Sequence, residues 1–503
     1  MAIEVNKFSV VKKKRLEKSQ FNVECNVAAE VEIDKILSVC HTAQAENAEI
    51  LNGVVNYSGT LDICILYCTV DGEIGTINSS CPFSSKFEDE MIKVGDKIKI
   101  DISVEDCQIE NISNSNIKLS CSCVQSGVLI MCREVDYVSS GDENMCIKDD
   151  EVIVDVFVGE AKEIFTVESE CVIKEPVKKL LLSDSQVSVK SVESGVNFVS
   201  VSGEVVTRLL YLTEKDRFES CYLTENFKEE IEVEGSTRES ISEAVAMIKR
   251  NSVKCEVDND DKGVNVKLTI PVEIKVSSYQ EKSERIVKDI YSTTCELEVS
   301  TESFEMTRQF TSESFETKID GTLVLDDNQP RVDKIMFVSG SNLMITNAYL
   351  KEGEVFVEGV AKTNVVYLND ETNALRGVTI EVPFVVSDKS SIETGEVCAN
   401  AIIYDVDVVV KKGREFYFDA KLKINLSYDC DEIGAVISNV KLASEYAERD
   451  CAIELVFASS GQTAWDLAKA VRVSEQTIMI NNPEVTFPLE HDENIVVYYQ
   501  KRT

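Results

Sequence analysis

At 503 residues the chain is too long for one hydrophobic core, and its 44% hydrophobic content with only seven prolines predicts three or four domains folded throughout. Its 52 basic against 89 acidic side chains give a net charge of −37, which argues against nucleic-acid or membrane binding by bulk electrostatics and reads as a solubility device. No window reaches the roughly eighteen apolar residues of a transmembrane helix, and early charges at Glu4 and Lys7 predict no secretory signal, hence a cytoplasmic protein.

The first distinct feature is the basic run Lys12-Lys13-Lys14-Arg15, which reads as a solvated segment. Seventeen cysteines follow, ten of them between Cys25 and Cys146. Many lie in alternating apolar stretches such as LDICILYC, where Cys64 behaves as a small core hydrophobe, so reduced thiols are expected.

Three long segments then repeat one another. Their centres are VVNYSGTLDICILYCTVDGEIGTINSSCPF, VNFVSVSGEVVTRLLYLTEKDRFESCYLTENF and EVFVEGVAKTNVVYLNDETNALRGVTIEVPF. A glycine (Gly59, Gly203, Gly359) precedes a tyrosine by eight residues (Tyr67, Tyr211, Tyr367). An aromatic follows 16 or 17 residues later (Phe83, Phe227, Phe384). The glycines are 144 and 156 residues apart, a period of whole domains, which predicts beads on a chain rather than a stacked solenoid. Alternating runs such as Val355-Phe356-Val357-Glu358 between turn signals such as VDGE predict antiparallel β-structure. The glycine predicts a bulge or close backbone approach, and the tyrosine and phenylalanine predict core positions.

This triplicated Gly…LY…PF pattern resembles the SPOCS domain of spore-coat-associated proteins, over about residues 20–435. The resemblance implies no catalytic residues.

From Glu454 the texture changes. IELVFA predicts a strand, and Thr463 with Asp466 three residues later predicts a capped helix start. Ala464, Leu467, Ala468 and Val471 form one apolar stripe. Ser474 can cap a second helix, EQTIMI, that stops at Asn481-Asn482-Pro483, and NIVVYY closes the unit as a strand. Trp465, the sole tryptophan, lies roughly 100° or more from the stripe's centre. Two placements stay open for it: half-exposed on the flank, where aromatics favour interfaces, or folded back over Ala464 and Ala468.

Gly461, Thr463, Trp465, Leu467, Ala468, Ile478, Asn482, Pro483, Ile495 and Val497 match the pattern of a LysM domain, which this stretch resembles. Gln462, Ala464 and Asp492 replace that pattern's usual Asp, Leu and Gly. In LysM domains the turn before helix one and the loop after helix two form a groove for N-acetylglucosamine polymers. Here those loops are Gly461 to Ala464 and Asn482 to Val485, and two of the altered positions fall in or near the groove.

The expected fold class is mainly β and multidomain. Three β-rich repeats at 1–145, 146–298 and 299–440 precede a small α+β (βααβ) LysM-like domain at 452–500.

Catalytic patterns are lacking. Only His41 and His491 exist, so Ser–His or Cys–His chemistry has almost no candidates. Cys64 with Cys68, and Cys121 with Cys123, are not C-x2-C pairs and read as core or surface thiols. No glycine-rich phosphate loop is present. Neither catalytic residue, metal nor cofactor is expected.

Three SPOCS-like repeats followed by one LysM-like domain resemble the SipL-like family of spore-coat morphogenesis proteins. The resemblance implies a non-enzymatic assembly protein in the mother-cell cytoplasm at the forespore surface. Its LysM domain would bind the coat morphogenetic ATPase SpoIVA and so tether the coat basal layer. The implied partner surface is Gly461, Gln462, Thr463, Trp465, Leu467, Asn482, Pro483 and Glu484. The alternative is a peptidoglycan- or N-acetylglucosamine-binding cell-wall protein, which would need export.

Overall fold

The structure, a computed structural model, describes residues 3–113, 116–142, 144–173, 175–260, 263–309, 313–372, 374–447, 449 and 451–499. The first repeat holds β1 (Glu4–Ala28), β2 (Ile33–Leu51), β3 (Val54–Thr69), β4 (Ile74–Glu88), β5 (Lys97–Ser113) and β6 (Asn116–Ser140). Strands β2-β3-β4 form an antiparallel meander, packed on a second sheet of order β1-β6-β5.

The second repeat holds β7 (Met145–Ile173), β8 (Val177–Ser194), β9 (Phe198–Thr213), β10 (Phe218–Glu232), β11 (Ile241–Ile248), β12 (Lys254–Asp260) and β13 (Gly263–Ser292). The third holds β14 (Cys295–Gln309), β15 (Glu313–Val324), β16 (Val332–Lys351), β17 (Glu354–Asn369), β18 (Leu375–Lys389), β19 (Glu396–Lys411) and β20 (Glu415–Glu445). In each, the meander (β8-β9-β10, β16-β17-β18) again faces a sheet built on one long strand, β13 or β20. Side chains alternate across the pleat, so that Val355, Val357, Ala361 and Val365 of β17 all enter one core. A βααβ unit closes the chain: β21 (Ile453–Ala458), α1 (Ala464–Val471), α2 (Glu475–Asn481) and β22 (Glu493–Tyr498). Among the described residues no helix is long and apolar enough to cross a membrane.

The repeated glycine and phenylalanine are register partners: Gly59 faces Phe83, Gly203 faces Phe227 and Gly359 faces Phe384. A Cβ on any of these glycines would stand closer than 3.0 Å to the ring and to a carbonyl oxygen of the strand on its other side, at Gln44, Ser188 or Met344. The glycine makes room for a ring lying across the strand. Gly203→Ala is therefore expected to cost about 1–3 kcal/mol, read as a lower denaturation midpoint at an unchanged slope.

The repeats are not beads on a chain. Leu37, Leu181 and Phe337, spaced by the same 144 and 156 residues as the glycines, meet in one buried cluster with Leu66, Leu210 and Val366. A second shared cluster joins Phe8, Val154 and Phe304 with Val10, Val156 and Met306. The Phe8 and Phe304 rings pack edge-on with centroids 5.3 Å apart. The long strands make this possible. Their ladders shift register between Leu16 and Ser19 in β1 and between Ser278 and Tyr279 in β13. Such a bulge bends the strand, so one half serves its own sandwich and the other meets its neighbours.

The basic run is not a solvated segment either. Lys13 lies only 8% exposed, its Nζ 2.9 Å from Glu243 of the second repeat and 2.8 Å from Asp429 of the third. The ammonium also sits over the Tyr279 ring at 5.0 Å, and the Lys13 backbone N–H donates to Thr307 Oγ1. Lys12 pairs with Glu305 and Asp431, Lys14 with Asp89, and Arg15 with Glu396. Lys12, Lys13 and Arg15 thus meet carboxylates of the second and third repeats, while Lys14 pairs within the first.

One pair of cysteines also departs from expectation. Cys107 and Cys121 face each other in the β5–β6 ladder and are joined as a disulfide, where the sequence predicts reduced thiols. The remaining cysteines are free.

Candidate functional site: the C-terminal module and its seat on the second repeat

The turn into α1 is fixed locally. Gly461 adopts φ +88°, Asp466 N–H donates to Thr463 Oγ1 at 3.2 Å, and Thr463 N–H donates back to Asp466 Oδ2 at 3.0 Å. Ser474 caps α2 in the same way, accepting from Thr477 N–H. Ala458, Ala464, Leu467, Ala468, Ile478, Ile495 and Val497 then fill a small core between the helices and one face of the β21–β22 pair.

The sequence-predicted surface residues separate into two groups. Gly461, Pro483 and Glu484 are exposed, with Gln462 and Thr463 half-buried beside them. Gln462 Oε1 accepts from Ser459 N–H at 2.8 Å and so shapes the turn. Leu467 and Asn482 are buried instead. The Asn482 amide donates to the carbonyls of Ile478 and Val496 and accepts from Val496 N–H, tying α2 to β22. Any influence of these two on a partner passes through the fold.

Trp465 is 6% exposed, which corrects the half-exposed placement. The flank that the helix stripe leaves open is covered by the second repeat. The Trp465 ring meets Tyr291 of β13 edge-on at 4.9 Å, and its Nε1–H donates to Asp289 Oδ2 at 2.9 Å. Lys469, one turn along α1, donates to both oxygens of the same carboxylate at 2.6 and 2.8 Å. Tyr291 Oη–H donates to the Val473 carbonyl at 2.8 Å, and Lys148 of β7 approaches the indole face at 6.0 Å. Burial alone would raise the Asp289 carboxyl, but the Lys469 ammonium and the indole N–H outweigh it and hold it below its ordinary value. Asp289 and Tyr291 escaped the sequence reading because the Trp465–Asp289 contact spans 176 residues.

The opposite face of the module is open. Ile453, Leu455 and Phe457 of β21 are 57%, 65% and 67% exposed, and Tyr498, the register partner of Ile453, is 51% exposed. Two short helices can cover only one face of a two-stranded sheet. A signal for this face exists in the sequence: IELVFA and NIVVYY are apolar at both strand phases.

Elsewhere the structure offers less chemistry. A cleft of about 320 Å³ at the basic run is lined by Lys12 to Arg15, Glu305, Glu396, Asp429 and Asp431, all of them already ion-paired. Among the described residues no group of three or more His, Cys, Asp or Glu side chains is arranged to hold a metal ion. His491 is exposed in the closing turn. His41 lies at the junction of the repeats, where burial, then the Arg250 guanidinium and the Lys362 ammonium, lower its pKa from 6.5 to about 4. The unfolded chain takes up this proton first, so stability is expected to fall as pH drops from 6.5 towards 4. The limiting slope is about 1.4 kcal/mol per pH unit, and His41→Asn should flatten it in pH-dependent urea titrations.

A family model described as SipL, SPOCS domain, matches residues 32–112. The matched stretch takes in β2 to β5, the meander and edge strand of the first repeat. No curated protein and no solved structure matches the chain.

Proposed function

We propose that this chain is a non-catalytic assembly protein of the spore coat, acting as SipL-like proteins do. The observation that carries the reading is the SipL SPOCS match on residues 32–112, within a body whose three repeats share one architecture. The repeat domains, taken as residues 1–145, 146–298 and 299–440, form the scaffold. The βααβ unit, taken as a LysM-like domain at 452–500, is the docking module for the coat morphogenetic ATPase SpoIVA.

Its partner surface is assigned to Gly461, Gln462, Thr463, Trp465 and Glu484 with Pro483, supported from beneath by Leu467 and Asn482. The open face of the same unit, with Ile453, Leu455 and Phe457 exposed beside Tyr498, offers an apolar surface of the kind a protein partner covers. The protein would work in the mother cell, at the forespore surface.

A fluorescent fusion of the full chain, imaged through sporulation, tests the reading. Signal should ring the forespore, and Glu484→Lys should disperse it. A wild-type signal spread evenly through the cytoplasm, or placed at the outer wall, contradicts the proposal.

A further inference from the structure

We propose that the second repeat holds the C-terminal module closed, and that a partner reaches Trp465 only after Asp289 and Tyr291 release it. The inference rests on the reading of Trp465 as part of the partner surface. Trp465 is only 6% exposed between Tyr291, which meets it edge-on, and Asp289, which holds its indole N–H, so a partner cannot reach it while these contacts stand.

The contact has the form of a clasp rather than a fused interface. Among the described residues no backbone–backbone hydrogen bond joins residues 453–499 to the repeats, and β21 pairs only with β22. No helix or strand lies among the described residues between Glu445 and Ile453. What holds the module is a small set of contacts: Tyr291 and Cys146 enter its apolar core, Tyr446 N–H donates to the Thr294 carbonyl just before it, and the polar contacts centre on one carboxylate. Asp289 accepts from both Trp465 Nε1 and Lys469 Nζ, and Tyr291 adds its ring and its hydroxyl. Hydrogen bonds to a charged acceptor depend on that charge, so loss of the Asp289 carboxylate removes both donors' partner together. The apolar face at Ile453, Leu455 and Phe457 stays open while the clasp is shut. The closed fraction then lowers the apparent affinity of any partner that needs Trp465.

Because Trp465 is the only tryptophan, its emission reads the clasp in the full chain without any partner present. Wild-type emission should be shielded from acrylamide. Asp289→Ala should shift it to the red and raise quenching severalfold, with the far-UV spectrum unchanged. Lys469→Met, on the exposed side of α1, opens the same clasp without altering the repeats and should move emission in the same direction. Both variants should bind purified SpoIVA more tightly, Asp289→Ala on the order of tenfold. A wild-type Trp465 already open to quencher overturns the closed state. Variants that expose Trp465 yet bind the ATPase no better overturn the regulation. Absence of ATPase binding in every form overturns the partner reading, and the regulatory proposal with it, while the quenching data still report the clasp.

Discussion

Lys13→Ala is expected to lower the unfolding free energy of the repeat body by about 3–5 kcal/mol, read as a clear fall in the urea midpoint. The reason is the pair of carboxylates left behind. Glu243 and Asp429 come from two different repeats and meet at one buried ammonium from a third. Burial alone would raise the Glu243 carboxyl, but Lys99 and Lys13 hold it at about 2. Its contribution is therefore present above the ordinary carboxylate value and lost as pH falls towards 2. The Lys13 ammonium is opposed by its own burial but raised overall by Glu243 and Asp429, so its share is lost only in strong base. The seam is intact across neutral pH. Lys7→Ala, on the same strand and paired with Glu134 in full solvent, should leave the midpoint where it is. Equal effects of the two substitutions would contradict a three-repeat seam.

Leu467→Glu is expected to unfold the C-terminal module while the repeats stay folded. Leu467 is 2% exposed between two helices and a sheet, where apolar side chains would desolvate a carboxylate. A buried, unpaired charge of this kind costs about 4 kcal/mol or more, which exceeds what so small a unit can lose. Trp465 emission should then match the denatured chain, and partner binding should vanish, with the main urea transition of the repeats retained. A single transition, lost as a whole, would show that the module is one cooperative unit with the repeats.

The parts of the fold legible in the sequence are those set by near neighbours. Thr463 and Asp466 signal a helix start because a capping box is closed within three residues. Gly203 signals a close backbone approach and Phe227 a core ring, and the hairpin that joins their strands sets one opposite the other. The shared clusters were harder to see. Strand β3 is buried at every position from Leu61 to Cys68, so the run LDICILYC packs on both faces. Its first face serves the repeat's own core and its second the three-way junction, and the sequence shows only a mostly apolar run around Asp62. Lys13 reads as solvated in the sequence because a charge run takes its meaning from what lies opposite. Here that is Glu243 and Asp429, 230 and 416 residues away. Trp465 is open on the same ground: helical phase places it on the flank, and only the position of Tyr291 decides whether that flank sees water.

The most direct test of the account offers the purified full chain to immobilised SpoIVA and, in parallel, to insoluble peptidoglycan. Retention by the ATPase, reduced in Glu484→Lys and unaffected by N-acetylglucosamine oligomers, is the predicted result. Retention by peptidoglycan, competed by those oligomers and absent on the ATPase, would contradict it.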